Sequence, residues 1–232
     1  MSEKKMAIVL YLTRYTDKTS IIHLYTRDLG RISCFANGIF GRKSKVNRSL
    51  LYPLSVLNTV IVEKGDMYSL KEIEPILSYD SLIDDPIKRC MAMFLAEVMS
   101  RTLREADPDE NLFDFLVSAI QSLTCGPVSP DFHLCFLLRL SSYLGFEPNI
   151  DGVGEAFDLE NGIRCCPNPA NMHILDGRLF SLFVRLVQTD ETLTLTHSER
   201  QHLLDVILLY YKLHLPAFGN VRSLDVLREL FA

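Results

Sequence analysis

The chain has 232 residues, with 24 Lys+Arg against 29 Asp+Glu, a formal net charge of −5 and a pI near 5.7. A hydrophobic fraction of 48% with 23% charged residues is a globular composition that excludes long disorder, and the length suits one large domain or two small ones. No apolar run approaches the roughly 20 residues needed to cross a bilayer, so no membrane span is expected.

The first third of the chain predicts strands. Ala7–Thr13 is apolar and β-branched. The apolar run Met6–Leu12 is stopped by Thr13 and Arg14 without a small-residue cleavage site, which predicts a strand rather than a signal peptide. Ser20–Thr26 is a second strand, turned by Asp28-Leu29-Gly30. Arg31–Ala36 alternates with period two before the hairpin signal Asn37-Gly38. Leu54–Val62 and Met67–Ile73 follow, joined at Lys64-Gly65-Asp66. Five short strands in under 80 residues predict a small closed barrel.

After Pro75 the period changes. From Asp85-Pro86, apolar residues recur at three-and-four spacing (Ile87, Cys90, Met91, Phe94, Leu95, Val98), with proline at the first turn. Asp109–Thr124 repeats the pattern and ends at Gly126-Pro127. Pro130–Leu144 is apolar around most of its circumference, which predicts the buried centre of a bundle stopped by Gly145. A long helix opens at Thr196-His197-Ser198-Glu199 and runs to about Leu215. Either Ser198 with Gln201 or Thr196 with Glu199 fits its capping pair. A last helix begins near Ser223. Between Gly145 and Asp176 the chain is loop-like, with a hairpin expected at Ala156–Leu159 turning through Glu160-Asn161-Gly162.

Charge is unevenly spread over these parts. Residues 1–75 carry 12 basic and 7 acidic side chains, leaving 12 basic and 22 acidic for 76–232. No acidic residue stands between Asp28 and Glu63. Within that interval Arg42-Lys43-Ser44-Lys45-Val46-Asn47-Arg48 falls on the connection between the third and fourth strands. A basic module inside an acidic protein is the footprint of a phosphate-backbone binder, although a solubilising surface loop would carry the same composition.

Other chemistries find less support. Gly41-Arg42-Lys43-Ser44 lacks the spacing of a nucleotide-binding loop. The six cysteines are scattered and suggest a reducing compartment. Cys165 and Cys166 are adjacent, a poor chelating pair for a tetrahedral ion. Cys125 and Cys135 lie on or beside apolar helical faces, where a buried thiol is the commoner explanation. The six histidines share no context, no Gly-x-Ser-x-Gly elbow occurs, and Asp84-Asp85 and Asp109-Glu110 sit where helix starts favour carboxylates. A binding protein is therefore expected rather than an enzyme. The nucleic-acid candidates are Arg27, Arg31, Arg42, Lys43, Lys45 and Arg48, with Arg14 and Lys18 on the first strand connection. Phe40, in a glycine-flanked loop, is the aromatic candidate. Phe35 and Tyr52 stand near the cations too, but their apolar-alternating surroundings favour the core.

The order of these features resembles the bacterial recombination mediator RecO. The resemblance is carried by Arg14–Lys18, Ile21–Gly30, Asn37-Gly38, Arg42–Lys45 and a Pro-centred strand Leu51-Tyr52-Pro53-Leu54. In the helical part it is carried by Phe136–Leu144 with Gly145-Phe146-Glu147-Pro148, and by Tyr210–Leu215 with Val221-Arg222-Ser223-Leu224. The resemblance implies an α+β protein: a five-stranded OB-type β-barrel over 1–78, then an all-α domain over 79–232 with 149–178 an irregular hairpin insertion. It further implies a non-enzymatic, cytoplasmic, nucleoid-associated protein of recombinational repair. Such a protein binds single- and double-stranded DNA, anneals complementary strands and works with RecR to load RecA onto DNA coated by single-stranded-DNA-binding protein. Its helical domain receives that coating protein's C-terminal tail, for which Arg139 is the one residue that can be named. Many members hold zinc through two Cys-x-x-Cys pairs in the insertion. Here only Cys165-Cys166 remains, so no cofactor is expected. The competing expectation is an interaction adaptor that never touches nucleic acid.

Overall fold

A computed structural model describes residues 4–17, 19–37, 39, 50–65, 67–103, 107–168, 170–188 and 193–230. Strands β1 (Lys4–Arg14), β2 (Thr19–Thr26), β3 (Gly30–Asn37), β4 (Val56–Lys64) and β5 (Met67–Pro75) close into a barrel of order β1-β2-β3-β5-β4. Closure comes from β1 pairing antiparallel with β4, while β3 meets β5 in a short parallel pair at Cys34↔Tyr68 and Phe35↔Ser69. The expected OB-type barrel followed by helices is the observed fold. Gly30 and Gly65 turn the chain at φ 63° and 60°, a region that side chains with a Cβ disfavour.

Alternation sorts the barrel residues. Ala7, Val9, Ile22, Leu24, Ile32, Cys34, Ala36, Leu57, Leu70 and Ile73 fill the interior. Each large aliphatic side chain there contributes about 1.5–3 kcal/mol by leaving water. Register slips between Val9 and Tyr11, so Leu10 is an extra residue opposite β2. Val9 and Leu12 both pack in the barrel core, and the bulge leaves Leu10 and Tyr11 off it.

The strand expected from Leu54 begins instead at Val56, and the segment read as a Pro-centred strand is a turn. Ser55 N–H donates to the Tyr52 carbonyl at 3.0 Å, and Leu54 adopts φ 66°. That geometry is incompatible with a β-ladder.

Helices α1 (Asp80–Asp84), α2 (Pro86–Thr102) and α3 (Glu110–Thr124) follow. Asp85 caps α2 by accepting from the N–H groups of Ile87 and Lys88, and Asp109 caps α3 through Leu112 N–H. These three helices group with the barrel in one compact unit, Met1–Pro127 with Val221–Leu227, and Val128–Asn220 with Arg228–Ala232 form the second.

The second unit holds α4 (Phe132–Tyr143), a small sheet of β6 (Ala156–Asp158), β7 (Ile163–Cys165) and β8 (Ile174–Asp176), α5 (Gly177–Gln188) and α6 (His197–His214). Helix α4 supplies buried Leu134, Phe136, Leu137 and Leu140, as its apolar circumference predicts. Its C-terminus is a glycine motif. Gly145 at φ 82° lets its own N–H reach the Ser142 carbonyl and Phe146 N–H reach that of Ser141. Phe146 then folds onto Tyr211 and stacks on His214, while the Tyr210 and Tyr211 hydroxyls donate to the carbonyls of Phe146 and Leu137. The Leu-Gly-Phe stretch and the Tyr-Tyr stretch, which carry the resemblance in this part of the chain, are thus two halves of one packing contact. Helix α6 is capped by the Thr196–Glu199 box, not by Ser198. Helix α7 (Ser223–Leu230) ends the described chain.

Candidate nucleic-acid interface

The outer surface of β1, β2 and β3 carries an aromatic row. Pairing sets Tyr11 opposite His23 and His23 opposite Ser33. The Tyr11 and His23 rings stack at 4.0 Å and 22°, and Ser33 Oγ lies 2.8 Å from His23 Nδ1. Burial and, secondarily, the Arg31 charge hold the His23 pKa below its ordinary 6.5, which keeps the ring neutral at pH 7. The next row sets Thr13, Ile21 and Phe35 side by side, and Tyr15 meets Phe35 edge-on at 5.9 Å. Tyr15 is 65% exposed. A π-surface of this kind stacks nucleobases without regard to sequence.

Phe35 and Tyr52 correct the core expectation. On β3 the interior takes Ile32, Cys34 and Ala36, which turns Phe35 outward to a half-buried position. Tyr52 lies on the turn before β4 and is 45% exposed.

The structure separates the sequence-selected cations. Arg14 ends β1, largely exposed, with Asp17 Oδ1 at 2.7 Å. Arg27 is turned toward α3, donating to Asp114 and, at 3.0 Å, to Glu110, with its guanidinium over the Phe113 ring. Arg31 reaches the C-terminus of α2, donating to the Ser100 carbonyl at 2.9 Å, and its second terminal nitrogen lies 3.3 Å from the Tyr11 hydroxyl. Lys18, Phe40, Arg42, Lys43, Lys45 and Arg48 lie outside the described residues. Arg139 is exposed on α4, beside a recess of about 70 Å³ that Glu147 also lines.

Tyr11, Tyr15 and His23 escaped the sequence reading. The bulge at Leu10 hides the first by breaking alternation, while Tyr15 next to Arg14 was the available signal.

The hairpin forms as expected, with the Asp158 carboxylate accepting from Glu160 and Asn161 N–H and Gly162 at φ 66°. Cys165 is half-buried and Cys166 exposed. Burial, Asp158 and Cys166 push the Cys165 thiol up. Among the described residues no three His, Cys, Asp or Glu side chains stand close enough to share an ion. Cys125, expected to be buried, is exposed because it is the residue that ends α3. No described helix is long and apolar enough to cross a membrane.

Comparison with known proteins fits this architecture. The chain matches the family model described as Recombination protein O N terminal over residues 1–79 and that described as Recombination protein O C terminal over residues 84–224. It is 32% identical over 240 residues to the DNA repair protein RecO of Azobacteroides pseudotrichonymphae, and 35% identical over 241 residues to that of Phocaeicola vulgatus, covering all of both chains each time. With the DNA repair protein RecO of Porphyromonas gingivalis W83 it shares 34% identity over 244 residues, 97% of each chain. A barrel and a helical part that each match their own half of the family, in chains alike from end to end, establish that this protein belongs to the RecO family of DNA repair proteins.

Proposed function

We propose that this protein is a non-enzymatic mediator of recombinational repair that binds single- and double-stranded DNA through the barrel, 1–78, and promotes annealing of complementary strands. The observation that carries the reading is the outward aromatic row Tyr11, His23, Tyr15 and Phe35 on a closed five-stranded barrel. It belongs to a module with no acidic residue between Asp28 and Glu63. Bases stack on the row while Arg14, Lys18, Arg31 and the loop cations Arg42, Lys43, Lys45 and Arg48 neutralise phosphates, with Phe40 adding a further ring. Arg27 serves the same field less directly, since Asp114 and Glu110 already hold its fork.

Annealing on this account needs neither hydrolysis nor cofactor. Cations screen the repulsion between two strands, and base pairing supplies the free energy. In the cell the protein acts in the cytoplasm with RecR to load RecA, and its helical part, 79–232, takes the C-terminal tail of single-stranded-DNA-binding protein near Arg139. Reversing the charge of Arg42, Lys43, Lys45 and Arg48 together should abolish binding to a labelled oligonucleotide without moving the thermal midpoint. Unchanged binding and salt dependence in that variant would remove the loop from the site.

The second reading is an adaptor whose helical part binds a protein and whose basic loop meets an acidic partner. It predicts no binding to plain oligonucleotides at low salt. The insertion, where Cys165-Cys166 stands alone, should be indifferent to metal. Dialysis against a chelator is expected to leave the melting temperature unchanged, and a drop would reveal a structural ion.

A further inference from the structure

A cleft of about 780 Å³ opens inside the first unit, beside the aromatic row. Its floor is one face of α2, where Met93, Ala96, Glu97, Ser100 and Arg101 recur at three-and-four spacing. The bulge residues Leu10 and Tyr11 of the barrel, with Pro53 and Arg222, also line it. Three arginines, Arg31, Arg101 and Arg222, line it with a single acidic residue, Glu97.

That carboxylate is already committed within the protein. It accepts from Arg222 N–H at 3.0 Å, Ser223 N–H at 2.8 Å and the Ser223 hydroxyl at 2.7 Å, and pairs with Arg101 at 2.6 Å. The cleft therefore presents net positive charge on a partly apolar surface. Met93 is 47% exposed, and a smaller apolar recess of about 220 Å³, lined by Tyr52 among others, shares Pro53 and Met93 with the cleft.

We infer that this cleft is a second binding site for single-stranded nucleic acid, one that takes the segment of strand leaving the barrel face. Tyr11 and Arg31 belong to both surfaces, so a strand stacked along the row runs into the cleft without a break. Arg222 and Arg101 then meet phosphates, and Tyr52 and Met93 receive a base. Charge complementarity selects a polyanion, and a lining that combines three arginines with Tyr11 and Met93 offers partners to both phosphates and flat apolar bases. The inference rests on the proposed DNA-binding function.

The test uses the full chain and fluorescence anisotropy with labelled oligothymidylates of about 6 and about 25 nucleotides, since one barrel of this kind occupies about 4–16. Arg222 contributes only its backbone N–H to the Glu97 contact, so Arg222→Ala should leave the fold intact, as a melting curve would verify. The expected result is a roughly five- to tenfold loss of affinity for the long oligonucleotide, a log–log salt slope smaller by about 0.7, and unchanged binding of the short one. If the wild type binds both oligonucleotides and Arg222→Ala changes neither affinity nor slope, the cleft is not on the path and the barrel site stands alone. If the wild type binds neither, the proposed function fails with it. DNA binding unaltered in Arg222→Glu, together with loss of a labelled hexa-aspartate peptide that the wild type binds, would give the cleft to an acidic protein segment and overturn the proposal.

Discussion

Glu97 joins two helices that are far apart in sequence. Burial pushes its carboxyl up, but the N–H groups of Arg222 and Ser223, the Ser223 hydroxyl and Arg101 outweigh that and bring it down to about 2 from an ordinary 4.5. A depressed acid stabilises the fold fully above its unfolded value and loses that contribution as pH falls through the folded one. Glu97→Gln should therefore cost about 1.5–3 kcal/mol near pH 7, the range for hydrogen bonds to a charged group. The difference between variant and wild type should shrink as the pH is lowered from about 5 toward 2. Thermal melts at pH 7 and pH 3 check this, and equal destabilisation at both would mean the charge is not what matters. Phe35 makes the opposite kind of residue. Its ring is turned away from the barrel interior, so Phe35→Ala should change the melting temperature little. Losing a stacked base should weaken single-strand binding by about 1–3 kcal/mol, measurable by anisotropy.

At the scale of elements, helix starts depend on caps that can be exchanged singly. The Thr196 hydroxyl accepts from Glu199 N–H while the Glu199 carboxylate accepts from Thr196 N–H. Thr196→Ala should cost about 1 kcal/mol, lowering the melting temperature by about 2–4 °C in a chain of this size. Ser198→Ala should cost less, which separates the two capping pairs the sequence allows. Such starts were legible because a cap is local chemistry: Asp85-Pro86 and Asp109 needed no tertiary information. Helix α5 was not anticipated, because β8 runs straight into it through Gly177 at φ 58°, with no connecting loop. Strand β8 itself is three residues long, too short for alternation to register. The aromatics of the candidate site were illegible. Period-two alternation on β3 does not say which set faces inward, and here the small Cys34 and Ala36 take the interior while the larger Phe35 is left outside. Tyr11 depends on a bulge that only the pairing with β2 reveals.

At the scale of the whole molecule, charge and acid sensitivity divide along the chain. Residues 1–75 carry an excess of five positive charges and residues 76–232 an excess of ten negative ones, so DNA should be drawn toward the barrel, more strongly at low salt. The second unit holds an acid-sensitive buried histidine. Burial, followed by the Arg200 charge, brings the His133 pKa down to about 3 from 6.5. Below pH 6.5 the unfolded chain takes up a proton that folded His133 refuses, so this site destabilises the fold progressively as pH drops toward 3. Replacing His133 by leucine should flatten the fall in melting temperature between pH 7 and pH 5. An unchanged fall would assign it to other groups.

The most direct test of the central claim is a salt titration of single-stranded DNA binding by the full chain, read by fluorescence anisotropy. Binding at low salt with a log–log slope of several times −0.7, each increment one neutralised phosphate, is the result expected of a cationic barrel face with stacked bases. Absence of binding at low salt would contradict it and turn the search toward a protein partner.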